Sequence, residues 1–575
     1  MVLRPDYESA RETYTGNMRS LPVKASRGLV LLLAVVVSTW TCAQVTPLTF
    51  EQTACSSEEV FTSAGPVCGL ELEIEDKTVS AFLGIPYAES TAGENRLEPP
   101  VPVAQWSQTY RATAFGPACP QNKQVEGIAQ SEDCLSINVW RPAGPALASP
   151  LPVLVFIHGG AFVEGSSADP LIPGEPYALY DGAYLAATQN LVVVTLNYRL
   201  GVLGFLAGSA GRTGNYGLQD QQLALHWVQD NIAAFGGNPD LVTLAGESAG
   251  AMSVGLHLLS VPSSDALFGA AILQSNPFGL PYKTPQQALA TAETYLLAVG
   301  CKFRFDQAAC LKSKPVEALL DAQNNPYLGF AVLDYGLAAF INWAPIIDGD
   351  LVVAQPISRA LEPGIAKPTL LGTNTDEGTV FFAGPAARPL GNFGYATFAR
   401  ALFGPENAEA VLRTYPPTGT GDNTGRIIEV STDYIFTCSN RAAAQRTQAP
   451  LYLYEFAHAP SFNIWTDVGR CATEACHGDE LAFVFHSAAG ERSFTAEEAT
   501  LSKTMVDYWG SFASALHNPN RLSPVRWPDI RSGEAYLRLG LTPATEVLDT
   551  EACAFWDALG YPIEEELGPV LEPAN

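Results

Sequence analysis

Apolar residues in this chain gather in short continuous runs: "PVLVFIH" (152–158), "LVVVTLNY" (191–198), "LVTLA" (241–245), "PTLLGTN" (368–374) and "LYLYEF" (451–456). A run that is continuous rather than alternating predicts a strand covered on both faces. Between the runs the apolar period lengthens. "GLQDQQLALHWVQDNIAAFGG" (217–237) sets Leu218, Leu225, Val228 and Ile232 on one face and predicts a helix that stops at Gly236. Strands alternating with helices predict an α/β fold, a large, mostly parallel central sheet flanked by helices. Ligands of such sheets bind beyond the carboxyl ends of the strands.

One strand ends abruptly at such a position. "LAGESAG" (244–250) places Ser248 between Gly246 and Gly250. A strand that turns at once into a helix makes a sharp corner, with a strained residue at its tip and room only for small neighbours. A serine at the tip projects its hydroxyl over a helix N-terminus, the logic of a nucleophile elbow. The pattern alone also fits an idle glycine-rich turn, so its surroundings matter. "FIHGGAFVEGSS" (156–167) follows the first strand run. There Gly159 and Gly160, with the N–H of Ala249, form a candidate three-donor oxyanion hole. A serine nucleophile also needs a base. Of the seven histidines, His158 belongs to the glycine turn, and His226 and His257 lie in helical patterns. His517 closes a helical pattern, and His458 and His486 are weaker contenders. His477 in "CHGDELAFVF" lies in a loop after the serine. The chain order serine, acid, histidine then requires a carboxylate between them. "LLGTNTDEGTVFF" (370–382) supplies Asp376 and Glu377, and the residues by themselves leave both open.

Composition narrows the setting. The 575 residues are 47% hydrophobic, and 32 basic against 59 acidic residues give a net charge of −27. That balance argues against nucleic acid or an anionic membrane as partner. The apolar stretch Leu29–Val37, preceded by Arg19, Lys24 and Arg27, is too short to span a bilayer. It predicts a signal peptide cut after Ala43, with Met18 a second plausible start. Of eleven cysteines, Cys42 falls in that segment and ten remain, with no C-x-x-C spacing. An even set in an exported chain predicts disulfides and a secreted or periplasmic location. Length alone predicts about three or four domains. A site drawing on residues 159, 248, 377 and 477 requires one body instead, so residues 1–43 read as extension and signal, and 44–575 as a single domain.

The chain resembles the type-B carboxylesterase and cholinesterase family of α/β-hydrolases. The resemblance rests on "FLGIPYAES" (82–90), "SEDCLSINVW" (131–140), "HGGAF" (158–162), "NYRLGVLGFL" (197–206), the long stretch from "GNYGLQDQQ" to "GESAG" (214–250), "PIIDGD" (345–350), "TDEG" (375–378), "HGDEL" (477–481) and "ACAFWDAL" (552–559). It implies an α/β-hydrolase fold with sizeable helical insertions, and a triad of Ser248, Glu377 and His477, choosing Glu377 over Asp376. It implies oxyanion donors at Gly159, Gly160 and Ala249, a gorge-lining Glu247, and an ion pair of Arg96 with Glu132. It also implies disulfides Cys119–Cys134, Cys301–Cys310 and Cys438–Cys553, which leaves Cys55 to pair with Cys68 and Cys471 with Cys476. A metal reading of Cys471, Cys476 and His477 is disfavoured, because exported thiols oxidise.

Departures bear on the substrate. The loop between Cys119 and Cys134, "PQNKQVEGIAQSED", has no aromatic residue to stack on a choline head. It is also too short and polar for the amphipathic lid of the family's fungal lipases. Phe162, Phe340, Ile341, Trp343 and Phe381 are candidate walls of an apolar pocket. The expectation is a secreted serine esterase acting on a small-molecule ester through an acyl-enzyme, with no cofactor and no metal. The alternatives are a lipase on longer acylglycerols, a dedicated amidase, and a non-catalytic binding protein, which would have lost the serine.

Overall fold

All five apolar runs become strands of one eleven-stranded sheet. In the computed structural model, residues 54–561 are described apart from 125–126, 145–148, 172–177, 209–213, 326–332, 385–387, 420, 489–492, 515–516 and 524. The expected signal, its cut after Ala43 and Met18 lie outside the described residues. The strands are β1 (Leu70–Ile74), β2 (Lys77–Pro86), β3 (Ser136–Pro142), β4 (Leu151–Ile157), β5 (Val192–Leu196) and β6 (Gly237–Glu247). β7 (Ala270–Gln274), β8 (Thr369–Asn374), β9 (Leu451–Phe456), β10 (Ala535–Leu539) and β11 (Ala544–Val547) complete the set. They lie in the order β11-β10-β9-β8-β7-β6-β4-β5-β3-β2-β1. Pairings are parallel from β5 through to β10 and antiparallel at both margins. The expected parallel centre is present, and hairpin-type edges make the whole sheet mixed.

The pleat explains the unbroken apolar runs. In β4, Val153, Val155 and Ile157 enter one hydrophobic core, whereas Leu154 and Phe156 enter another on the opposite face. Helix α1 (Tyr216–Asn231) and helix α2 (Ala249–Leu259) contribute Leu225, Val228, Val254 and Leu256 to the first core. Helix α3 (Ala496–Ala513) contributes Leu501, Met505, Trp509 and Phe512 to the second. The helix predicted for 217–237 runs on from α1 as a 3₁₀ turn, Ile232–Phe235, and ends where Gly236 takes φ 80°.

Five disulfides join Cys55 to Cys68, Cys119 to Cys134, Cys301 to Cys310, Cys438 to Cys553, and Cys471 to Cys476. The last of these removes both thiolates from the metal reading. Two buried ion pairs pin irregular segments. Arg96 meets Glu132 through two hydrogen bonds of 2.6 Å. Arg199, just after β5, meets Asp220 of α1 through bonds of 2.8 and 2.7 Å, with both side chains almost wholly out of solvent. Replacing Asp220 by Ala strands a buried guanidinium, which costs about 3–5 kcal/mol. A drop of that size in the free energy from urea unfolding is the expected result.

Candidate active site

The elbow forms as its residues dictate. β6 ends at Glu247, Ser248 takes φ 55° and ψ −124°, and α2 begins at Ala249. A non-glycine residue in that region is strained. It is held by the Ser248 N–H donating to the Gln274 carbonyl (3.0 Å) and by the Ser248 carbonyl accepting from Met252 N–H (2.8 Å). The flanking glycines are needed for contact. A Cβ on Gly246 would lie 2.5 Å from the Gly250 carbonyl carbon, and one on Gly250 only 2.0 Å from the Ile157 oxygen.

The glycine turn after β4 meets this corner directly. Ile157 pairs with Gly246, so β4 and β6 run out side by side. A Cβ on Gly159 would lie 3.0 Å from Ser248 Cβ and 2.7 Å from the Glu247 carboxylate. Gly160 takes φ 102°, and its carbonyl accepts from the N–H groups of Val163 and Glu164. As the first residue of α2, Ala249 has an N–H with no carbonyl a turn behind it. The structure therefore brings Gly159, Ser248 and Ala249 together, with Gly160 next to Gly159 in the turn.

The candidate acid and base come from the ends of two other segments. β8 runs out into Thr375-Asp376-Glu377, and Glu377 Oε2 lies 2.5 Å from His477 Nδ1, with both side chains buried. Glu377 Oε1 accepts from the Asn374 N–H at 2.8 Å, which fixes the carboxylate. Asp376 is engaged elsewhere, since its carboxylate accepts from the Ala475 N–H at 3.1 Å and from the Thr375 hydroxyl at 2.7 Å. The geometry thus separates the two acids that the residues had left open. His477 Nε2 makes no hydrogen bond among the described residues and lies 3.2 Å from Glu247 Oε1. Its ring is flanked by Phe381 at 5.2 Å and Phe436 at 5.4 Å.

Acidic groups crowd this imidazole. Burial pushes the carboxyls of Glu247, Asp479 and Glu480 above the ordinary range. Burial opposes the charged form of His477 too, but Glu247 and Glu377 outweigh it, so the imidazolium is held above its usual range. The other histidines are occupied or remote. His158 is buried, stacked on Tyr198, and pressed down to about 4 by desolvation. His257 bonds Ser264 and Gln221, His458 bonds Glu498, His486 bonds Ser502, and His226 is exposed on α1.

Of the expected pocket walls, Phe381 stands beside His477, 41% exposed. Phe162 is buried against Phe205, and Phe340 packs on Phe382. Ile341 lies in the first core. Trp343 belongs to a separate cluster with Tyr295 and donates to the Gln323 carbonyl. Sequence reasoning missed Phe436 and a polar layer behind the triad positions. In that layer Glu480 accepts from Gln274 Nε2 at 3.1 Å and from Asn374 Nδ2 at 2.7 Å. Glu480 stands three residues after His477 and Asn374 three before Glu377; such spacing around two loop motifs was the available signal.

The carboxylesterase family profile matches residues 56–556. The chain belongs to the carboxylesterase family. This carboxylesterase is 35% identical over 544 residues to acetylcholinesterase of Bungarus fasciatus, spanning 87% of this chain and 86% of that one. It is 34% identical over 531 residues to acylcarnitine hydrolase of Mus musculus, spanning 86% and 90%. A solved PNB esterase superposes with a TM-score of 0.73 at 33% identity, covering 88% of this chain and all of its own. The fold is that of an α/β-hydrolase and the protein is a serine hydrolase of carboxylic esters.

Removing the Glu247 charge takes away the first of the groups that favour the imidazolium. In the Glu247→Gln carboxylesterase, the His477 resonance, followed by NMR, is expected to titrate at lower pH than in the parent.

Proposed function

We propose that this carboxylesterase acts outside the cytoplasm on small carboxylic esters, with Ser248 as nucleophile, His477 as general base and Glu377 as its orienting acid. The observation that carries this reading is the buried 2.5 Å contact between Glu377 and His477 Nδ1, which leaves Nε2 without a hydrogen bond among the described residues, 3.2 Å from Oε1 of Glu247, the residue before Ser248. With Nδ1 committed to the carboxylate, Nε2 is the nitrogen that can take a proton.

The steps follow from the groups present. The Ser248 hydroxyl attacks the ester carbonyl carbon while His477 accepts its proton. The N–H groups of Gly159, Gly160 and Ala249 hold the resulting oxyanion. His477 returns the proton to the departing alkoxide, and the acyl group stays on Ser248. Water, deprotonated by the same imidazole, releases the acid and restores the serine. Phe381 and Phe436 give the reacting centre apolar flanks. An extracytoplasmic setting is supported by the five disulfides. Among the described residues no helix is long and apolar enough to cross a membrane.

Ser248→Ala is expected to abolish the burst with a chromogenic ester and leave the unfolding midpoint in place; an undiminished burst overturns the assignment. Glu377→Gln is expected to lower kcat by about 10⁴-fold. Asp376→Asn, which keeps an oxygen for the Ala475 N–H, is expected to change it little, and equal losses in the two variants would remove the distinction drawn between these acids. Activity requires the neutral imidazole, and the surrounding carboxylates favour the charged one, so kcat is expected to rise with pH through a range above that of a free histidine.

A further inference from the structure

The base stands on an unusual piece of chain. His477 follows Cys476 directly, and Cys476 is bonded to Cys471 only five residues earlier. The segment from Gly469 to His477 takes no part in the central sheet. Its two sulfurs, both buried, join Val468, Trp465, Val380 and Ala383 in a small cluster apart from both sheet cores. Val380 and Ala383 lie just after Glu377, so the disulfide packs against the continuation of the acid loop. Polar contacts follow the same seam. Asp376 N–H donates to the Ala475 carbonyl (3.0 Å), and the Asp376 carboxylate accepts from Ala475 N–H in return. Thr379 donates to Glu474 (2.7 Å), and Asn374 Nδ2 donates to the Cys476 carbonyl (2.6 Å). Beyond the disulfide, Trp465 Nε1 holds the His477 carbonyl at 2.8 Å.

We propose that the Cys471–Cys476 disulfide is a positioning element for catalysis: it makes the six-residue segment a rigid plug that docks on the acid loop and keeps His477 in register with Glu377 and Ser248. The inference rests on His477 being the base. The covalent link acts where the fold is otherwise thin, because the small cluster and a few hydrogen bonds fix the residue before the imidazole. The other four disulfides join segments elsewhere: near the N-terminus, around 119–134, around 301–310, and between 438 and the C-terminal helix. Cys471–Cys476 therefore couples most directly to the chemistry. Among the described residues, every charged group facing the imidazole is acidic: Glu377 from the acid loop, Glu247 from β6, and Glu480 from its own segment, with Asp479 close by. Loosening the plug moves His477 away from this set, and its protonated form loses support.

The test is the double variant Cys471→Ala with Cys476→Val, which keeps the cluster apolar, compared with removal of the remote pair through Cys301→Ser with Cys310→Ser. The expected result for the first is a kcat lower by about 10–100-fold, as misplacement of about an ångström produces. KM is expected to hold and the acid limb of the kcat profile to move to lower pH. The second is expected to lose thermal stability with its pH profile unmoved. A folded Cys471→Ala/Cys476→Val enzyme with parental kcat and parental profile overturns the proposal, and so does an equal profile shift in both double variants. Should the first variant fail to fold, Asp376→Ala releases the same segment without touching the sulfurs. It is expected to shift kcat and the acid limb in the same direction by less, and no shift overturns the proposal. His477→Ala run alongside separates the two readings. Retained activity there removes the base assignment, whereas an inactive His477→Ala beside an unaffected disulfide variant removes only the positioning role.

Discussion

The constraint on which this site depends is a backbone contact that tolerates no side chain. Gly250, in the first turn of the elbow helix, lies so close to the end of β4 that a Cβ would stand 2.0 Å from the Ile157 oxygen. Gly159 is held as tightly from the other side, by Glu247 and Ser248. Two neighbouring parallel strands thus end in contact, one carrying Ser248 and the other the glycine turn. In the proposed reading, the distance from the Ser248 hydroxyl to the oxyanion donors is then set by main-chain packing, which varies less than side-chain rotamers do. The strain at Ser248 is maintained because the sheet, the helix and this contact all require the same corner.

Around that rigid corner the electrostatics are one-sided. His477 is buried beside Glu247, Glu377 and Glu480; burial and neighbouring carboxyls push Glu247 and Glu480 up, and the ion partner of Glu247 and Glu377 is His477 itself. Such a site stores a proton readily and releases it reluctantly. In the proposed mechanism that property suits an imidazole that must stay charged while an oxyanion exists nearby, and it sets the pH at which the proposed base becomes free. Asn374 and Gln274, which donate to Glu480, share its charge with neutral dipoles rather than with a counter-ion.

Legibility in the sequence followed how local each signal was. The five central strands were readable because both faces of each are covered, so their apolar runs are unbroken. The same holds for the helix 217–237, whose apolar stripe and Gly236 stop are both local features. β7, "AAILQ", is as buried as its neighbours but begins with two alanines, while β1 alternates because one face meets solvent and β11 is exposed throughout; none of these stood out. At the site, the elbow and the glycine turn announce themselves through steric demands that only small residues meet. The choice between Asp376 and Glu377 could not be made from local pattern, since both lie in one loop and differ only in which partner, 99 or 100 residues away, they reach. Resemblance made the choice, and geometry supplied the physical reason. Trp343 and Phe162 show the converse difficulty: an aromatic residue beside a motif in sequence can face either the core or the cleft, and burial alone separates the two.

Cys438 is joined to Cys553 across 115 residues, and the last two strands of the sheet, β10 and β11, lie within that span. The proposed base, His477, lies inside the same loop, whereas Ser248, the glycine turn and Glu377 all precede it. During synthesis, then, Ser248, the glycine turn and Glu377 are all made before His477. A ribosome must pass residue 553 before this closure can occur, so the segment that carries His477 is tied down only after every other residue of the candidate site has been made.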